Sequence, residues 1–528
     1  MRVIYTLLYI TTMKHGTHKN KFRNPLCDNK MTFQDCELAI LRQAVDENET
    51  LKEMGVANSE EIQDILKIVE KFIIQKKLIC YGGTAINNIL PKFAQFYNRD
   101  KEVPDYDFFS ANALSDAKEL ADIFYKAGYQ DVEAKSGVHK GTYKVYVNFI
   151  PIADITHIHP QIFKSLSKDS ILIGGIHYCP PNYLRMSMFL ELSRPMGDVS
   201  RWEKVMKRLT LLNKYYPLKS GINCDKVDFQ RKMADNVEKS EDLYVLVRDS
   251  FIDQGVVFFG GYATSMYSKY MTKKQIHNVR KIPDFDVLAE DPENCAFIIK
   301  ETLERNEFLN IKIVNHVAID DIIPEHVEII VGTETMAFIY KPIACHSYNT
   351  IQVNGKEVHI ATIDTILSFY LAFLYANFHN YNSDRLLCMA SFLFDVEQKN
   401  RLEQHGLLKR FNLKCYGKQV TLEEIRSEKA KKYRELKDGH GKEYEMWFLK
   451  YAPGELETKR KTRALERNEN AEEKKEDKTP NDVEEVGSSF FDLILPMAEK
   501  RRPVTKKNKT LKQRLREIRK TRKERNGR

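Results

Sequence analysis

The stretch LICYGGTAINN (78–88) reads as an apolar strand entering a Gly-Gly turn that opens a helix, and VVFFGGYATSM (256–266) reads the same way. An amphipathic helix precedes each. Ile62, Ile65, Leu66, Val69, Phe72 and Ile73 share one face ahead of the first; Leu243, Leu246, Val247 and Phe251 share one ahead of the second. Downstream stand VPDYDFFS (103–110) and IPDFDVLAE (282–290). The copies are offset by 178 residues at Gly82 and by 179 at Asp105. Next, GTYKVYVNFIPIAD (141–154) aligns without gaps on GTETMAFIYKPIAC (332–345). Finally GIHY (175–178) faces EVHI (357–360), and each leads into an apolar helix. Five anchors in one order predict two tandem copies of one α/β (α+β) unit, about 60–220 and 236–400. Each copy is a small mixed sheet with flanking helices.

The chain has 528 residues, 42% hydrophobic and 11% aromatic, enough apolar content to bury sizeable cores and to exclude a wholly disordered protein. Its net charge of +9 is uneven. Lys500 to Arg528 holds 15 Lys/Arg against 2 Glu, so the rest of the chain is slightly acidic and the basicity sits in a tail suited to a polyanion. No run reaches the roughly 18 apolar residues of a membrane span, and Ile366 to Phe378 reads as a buried helix. Val3 to Met13 has a faint signal-peptide shape without a small-residue cleavage site. The nine cysteines show no CxxC and no close, even spacing, which fits a reducing compartment and argues against zinc.

A strand ending in Gly-Gly and opening a helix exposes backbone N–H groups that suit a phosphate. Gly82 and Gly83 admit a triphosphate closely and Thr84 adds a hydroxyl, although a Gly-Gly pair alone is most often just a turn. Asp105 and Asp107 point to one strand face, side by side, an arrangement that calls for a cation such as Mg²⁺. Taken alone, a D-x-D is most often a solvated strand edge. Asp154 ends an alternating strand with Tyr143, Val145, Val147 and Phe149 on one face, and a third carboxylate there would complete a two-metal clamp.

Gly-Gly, then D-x-D, then a third Asp on a later strand resembles the DNA polymerase β-like nucleotidyltransferase superfamily. YGGTAINN, VPDYDFF, IPIADITHI, YLRMSMFLELSRP and RWEKVMKRL are more closely similar to the poly(A) polymerase catalytic subunits of large cytoplasmic DNA viruses, over roughly residues 55–400. The resemblance implies a template-independent transfer of AMP from ATP to an RNA 3′ end. Gly82, Gly83 and Thr84 would hold the β/γ-phosphates. Asp105 and Asp107 would bridge two Mg²⁺ (or Mn²⁺) ions, and Asp154 would bind the ion that activates the RNA 3′-hydroxyl. Apart from the resemblance, the basic cluster after the second apolar helix places Arg201 and Lys204 as contacts to the nucleotide's triphosphate or the RNA backbone, with a solvated helix face as the alternative. Lys207, Arg208 and, in the tail, Lys506, Lys507 and Arg514 would contact RNA. The resemblance also implies a cytoplasmic or viral-factory setting, packaging in the virion, and RNA grip from a homodimer or a processivity subunit, with no membrane partner.

The expected organisation is an N-terminal extension (1–58), a catalytic domain (59–222), a degenerate second domain (223–400) and a charged helical extension (401–452). A polar, disordered linker (453–489) follows, then an apolar island, FFDLILPM (490–497), and the basic tail to residue 528. The second copy keeps Asp284 and Asp286. It places Cys345 where Asp154 stands and Tyr262 where Thr84 stands, and the only acidic substitute nearby, Glu328, falls on another segment. A thiol is a poor Mg²⁺ ligand, so the second copy is expected to have lost the chemistry. His157, His159 and His177 read as structural. The rival readings are another template-independent nucleotidyltransferase, CCA-adding or oligoadenylate synthase-like, and a non-catalytic RNA-binding subunit.

Overall fold

The computed structural model describes residues 26–27, 31–57, 59–97, 104–227, 240–279, 285–376, 382–439 and 441–455. The linker, the apolar island and the basic tail, with Lys506, Lys507 and Arg514, lie outside these residues. So do Asp284 and the apolar N-terminal run.

After an N-terminal helix, α1 (Phe33–Ala57), the first copy runs α2 (Glu60–Lys76), β1 (Ile79–Cys80), α3 (Gly82–Ile89), β2 (Tyr106–Ser110), α4 (Ala113–Lys126), β3 (Val132–Ser136), β4 (Thr142–Val147) and β5 (Ile150–His157). It closes with α5 (Pro160–Asp169), β6 (Ile171–Ile173), β7 (Ile176–Tyr178), α6 (Pro181–Leu192) and α7 (Trp202–Tyr215). The second runs α8 (Ser240–Asp253), β8 (Val257–Phe258), α9 (Gly261–Met266), α10 (Lys273–Val279), β9 (Phe285–Leu288), α11 (Pro292–Arg305), β10 (Ile311–His316), β11 (His326–Val331) and β12 (Glu334–Tyr340). It ends with β13 (His346–Val353), β14 (Lys356–Ala361), α12 (Ile363–Ala376) and α13 (Ser383–Lys399). The extension adds β15 (Cys415–Tyr416), α14 (Leu422–Leu436), α15 (Lys442–Phe448) and β16 (Lys450–Tyr451).

The duplication is visible in the sheets. The first is ordered β16-β3-β4-β5-β2-β1-β7-β6 and the second β10-β11-β12-β9-β8-β14-β13-β15. Without β16 and β15, the seven-strand order is the same in both. β2–β5 and β9–β12 are parallel, and β1–β2 and β8–β9 are antiparallel. The extension is therefore not purely helical: β15 edges the second sheet on β13, and β16 edges the first on β3.

The helices form for the reason their spacing gave. α2 buries Ile62, Ile65, Leu66, Val69, Phe72 and Ile73 on one face, each worth about 1.5–3 kcal/mol when fully buried. The capping box of Thr421 and Glu424 starts α14. The two apolar helices α6 and α12 pack against each other and join the copies. Tyr183 meets Tyr375 edge-on at 5.4 Å, and Gln161 Nε2 donates to Ala376 O at 2.7 Å. Among the described residues no helix is long and apolar enough to cross a membrane.

Two expectations about local structure change. Tyr143 to Asp154 is a hairpin and not one alternating strand: Asn148 and Phe149 take positive φ (50° and 67°) and make the turn between β4 and β5. Phe149 is accordingly 83% exposed, whereas Tyr143, Val145 and Val147 are buried. The cysteines do not stay apart either. Cys27–Cys36, Cys224–Cys388 and Cys345–Cys415 are disulfide pairs, separated by 9, 164 and 70 residues; Cys80, Cys179 and Cys295 are free and buried. Three disulfides do not fit the reducing compartment expected from the cysteine spacing; the two long-range pairs are closed by tertiary folding, which spacing does not register.

Candidate active site

In the first copy the Gly-Gly turn lies against the carboxylate strand. Tyr81 N–H donates to Asp107 O at 2.9 Å, and Gly82 takes φ +72°. A Cβ at Gly82 would stand 2.6 Å from Asp107 Oδ2, so both the backbone angle and the close approach demand glycine. A Cβ at Gly83 would stand 2.7 Å from Tyr97 Oη and 2.8 Å from Arg208 Nη2. Thr84, expected to offer its hydroxyl to phosphate, is 3% exposed and donates to Asp105 O at 2.6 Å. Its hydroxyl proton is thus engaged in holding the backbone of Asp105.

Asp107 and Asp154 are direct partners across the parallel pair β2–β5, and Asp105 precedes β2 on the side shared with Asp107. Lys144, on β4, is opposite Asp154 in the antiparallel register, and its ammonium pairs with Asp154 Oδ2. Desolvation raises the Asp105 carboxyl above its usual range although the residue as a whole is exposed, and the Asp154 charge adds to this, with Lys144 and Lys204 opposing. Burial pushes Asp107 up to about 7, helped by the charges of Asp105 and Asp154 and opposed by Lys144 and Arg201.

These hard oxygen donors suit Mg²⁺ or Mn²⁺. Among the described residues no three His, Cys, Asp or Glu side chains already form a metal cage. The carboxylates nevertheless fit a divalent cation, because the charges of Asp105, Asp107 and Asp154 repel one another and raise the Asp105 and Asp107 carboxyls, and added positive charge relieves this. The Lys144 ammonium would have to yield its oxygen on Asp154.

The basic residues of α7 point to different tasks. Arg208 donates to Tyr97 Oη at 2.5 Å, lies 5.3 Å from the Phe96 ring centre and 5.6 Å from that of Tyr97, and abuts Gly83. It therefore packs against the Gly-Gly turn, whereas Lys207, one residue before it, faces outward. The Lys204 charge reaches Asp105 and that of Arg201 reaches Asp107, while Arg201 Nε also pairs with Glu191 Oε1 at 3.1 Å. Lys207 is exposed and pairs with Glu203 at 2.6 Å. His159 accepts from Gln161 N–H at the start of α5, and His177 bonds Ser170, the structural roles expected of them. Sequence reading missed Lys144 and Tyr97. For Lys144 the signal was present: the alternation of β4 places it on the face opposite Tyr143 and Val145.

The second copy lacks the third carboxylate, but at a different residue from the one expected. Asp286 is opposite Phe338 across β9–β12, as Asp107 is opposite Asp154, so Phe338 and not Cys345 takes the Asp154 place. Cys345 instead pairs with Cys415 beyond the end of β12. The gap-free alignment slid because GT (332–333) is the turn between β11 and β12, whereas GT (141–142) leads into β4. Glu328 is opposite Phe338, in the place of Lys144, and is bound by Thr335 and His316. The substitution Asp286→Ala is accordingly expected to leave nucleotide addition within a few-fold of wild type, checked by steady-state incorporation with matched circular dichroism.

The raised Asp107 carboxyl gives a second expectation. The folded state holds its proton between about pH 4 and 7, where the unfolded state has lost it, so without divalent cations this group costs stability progressively as pH rises through that window. Asp107→Asn should thus match wild type at pH 4 and be more resistant to urea at pH 8. Parallel urea midpoints at both pH values would refute the assignment.

Residues 67–198 match the family model described as Poly(A) polymerase catalytic subunit, a span that holds the Gly-Gly turn, all three carboxylates and Lys144. The chain resembles viral poly(A) polymerase catalytic subunits. It is 36% identical over 168 residues to a protein of African swine fever virus (strain Badajoz 1971 Vero-adapted) assigned as such a subunit, across 31% of this chain and 35% of that one. It is 32% identical over 159 residues to one of Acanthamoeba polyphaga mimivirus, across 29% of this chain and 26% of that one. The matches thus span about a third or less of those relatives. The fold is that of the Megavirus polyadenylate synthase crystal structure, with a TM-score of 0.67 and 19% identity over 83% of this chain and 90% of that chain. The likeness of fold therefore extends through the second copy, whereas the family model stops before α7.

Proposed function

We propose that the protein is a template-independent polynucleotide adenylyltransferase that adds AMP from ATP to RNA 3′ ends in the cytoplasm. The observation that carries this is the meeting of Asp105, Asp107 and Asp154 beside the Gly82–Gly83 turn, within the segment that resembles viral poly(A) polymerase subunits.

The N–H groups that open α3, with Arg208 beside them, hold the triphosphate. Thr84 and the Tyr81 N–H fix the strand bearing Asp105 and Asp107, so the carboxylates are set before substrate arrives. Divalent cations, when bound by Asp105, Asp107 and Asp154, neutralise the triphosphate and make the RNA 3′-hydroxyl a better nucleophile. The hydroxyl gives up its proton to solvent as its oxygen bonds to the α-phosphorus, the bond to the bridging oxygen breaks, and pyrophosphate leaves with that electron pair. No covalent enzyme intermediate is required, so placement and charge supply the rate. The second copy supports the first through α6 and α12, and the basic tail, including Lys506, Lys507 and Arg514, adds salt-sensitive grip on RNA phosphates.

The test is to offer the purified chain ATP, CTP, GTP or UTP with Mg²⁺, with and without an RNA primer. Long AMP extension of the primer from ATP alone is expected. CMP addition, or oligomers made from ATP without primer, would support the CCA-adding or oligoadenylate reading instead.

A further inference from the structure

Beside the Gly-Gly turn lies an open groove of about 750 Å³, lined by Phe96, Trp202, Met206 and Phe411 with Glu203 and Lys207 among its polar side chains, within the usual range of roughly 300–1,000 Å³ for ligand clefts. Three aromatic rings come from three separate parts of the chain. Each is held. Arg208 lies 5.3 Å from the Phe96 ring and itself abuts Gly83, so one side chain spans from groove to phosphate turn. The Trp202 indole N–H donates to Glu191 O at 3.1 Å. Phe411 is 38% exposed toward the groove and backed by the Arg410 guanidinium at 5.3 Å. Arg410 is in turn fixed, bidentate to Asp364 and bonded to Glu397 at 2.9 Å. Trp202 and Phe411 stand 6.0 Å apart.

Rigid aromatic faces next to cations are what single-stranded nucleic acid needs, since every base has a π-face and every linkage a negative charge. Lys207 stands on the rim with 72% of its side chain exposed and pairs with the exposed Glu203, and Lys204 and Arg208 lie one turn or less away on α7. We propose that this groove stacks a nucleobase of the RNA strand whose 3′ end lies at the carboxylates, with Phe411 as its platform. The assignment rests on the polynucleotide-transfer reading above.

The experiment uses the full chain and an oligo(A) RNA carrying 2-aminopurine at successive positions near its 3′ end. Wild type should quench one or more of these positions. Phe411→Ala should restore that fluorescence and weaken RNA binding on the order of 10-fold, while Phe411→Tyr keeps both, and ATP binding measured without RNA should be unchanged. Urea midpoints establish that the variants are folded. If wild type binds and extends the RNA without quenching, or Phe411→Ala binds RNA as wild type does, another occupant fills the groove and the proposal falls while the enzyme reading stands. A selective loss of ATP binding would assign the groove to the nucleotide and overturn the proposal too. If wild type neither binds nor extends RNA, the enzyme reading fails first and the groove assignment fails with it.

Discussion

Replacing Asp107 or Asp154 by Ala is expected to lower AMP addition by 10²–10³-fold or more while the protein stays folded. The magnitude follows from the loss of one fixed charge at the point where the transition state builds its own. Each carboxylate is placed by backbone pairing and not by its own side-chain packing: Asp107 by the register of β2 with β5, Asp154 by its pairing with both β2 and β4. Removal should therefore spare the sheet. Asp154→Ala also frees the Lys144 ammonium, which would then lie near Asp105 and Asp107. Single-turnover extension of an RNA primer at saturating ATP measures the effect, and near wild-type extension by either folded variant would displace the site from these residues.

The second large effect is on stability. Arg410, Asp364 and Glu397 are 6%, 1% and 4% exposed, and join the extension to α12 and α13. Burial pushes the Glu397 carboxyl above its usual range, with the Arg410 charge opposing. Such a cluster adds little over a well-packed apolar replacement. Removing one member, however, leaves buried charge uncompensated, at a cost of about 3–5 kcal/mol. Arg410→Ala should lower the unfolding free energy by that amount in urea titrations at pH 8, and by less in acid, because the raised Glu397 carboxyl is neutralised there. A change under about 1 kcal/mol would show that water reaches the cluster. Because Arg410 also backs Phe411, the variant should weaken RNA binding even under conditions where it is folded.

Much of this was legible in the sequence because the determinants are local. The α2 stripe, the Gly-Gly turns and the D-x-D spacing are each decided within a few residues by periodicity and backbone sterics. Order along the chain then gave the duplication, and both sheets carry it. What was not legible depends on which strand lies beside which. The Asn148–Phe149 turn split an apparent strand, and that single event moved the counterpart of Asp154 from Cys345 to Phe338. The Lys144–Asp154 pair, the Arg208–Tyr97 contact and the Cys224–Cys388 pair join residues 10, 111 and 164 positions apart. Alternation along β4 sets the face of Lys144, but no local pattern names its partner or encodes the other two pairings. Thr84 illustrates the same limit: its type suits a phosphate, yet its hydroxyl donates to the backbone of Asp105.

The central claim is that the first copy alone holds the catalytic cations, and Mn²⁺ titration followed by electron paramagnetic resonance, with a non-hydrolysable ATP analogue, tests it most directly. Wild type and Asp286→Ala should take up the same number of tightly held ions, and Asp154→Ala should hold fewer. Tight binding that survives in Asp154→Ala and disappears in Asp286→Ala would contradict the account.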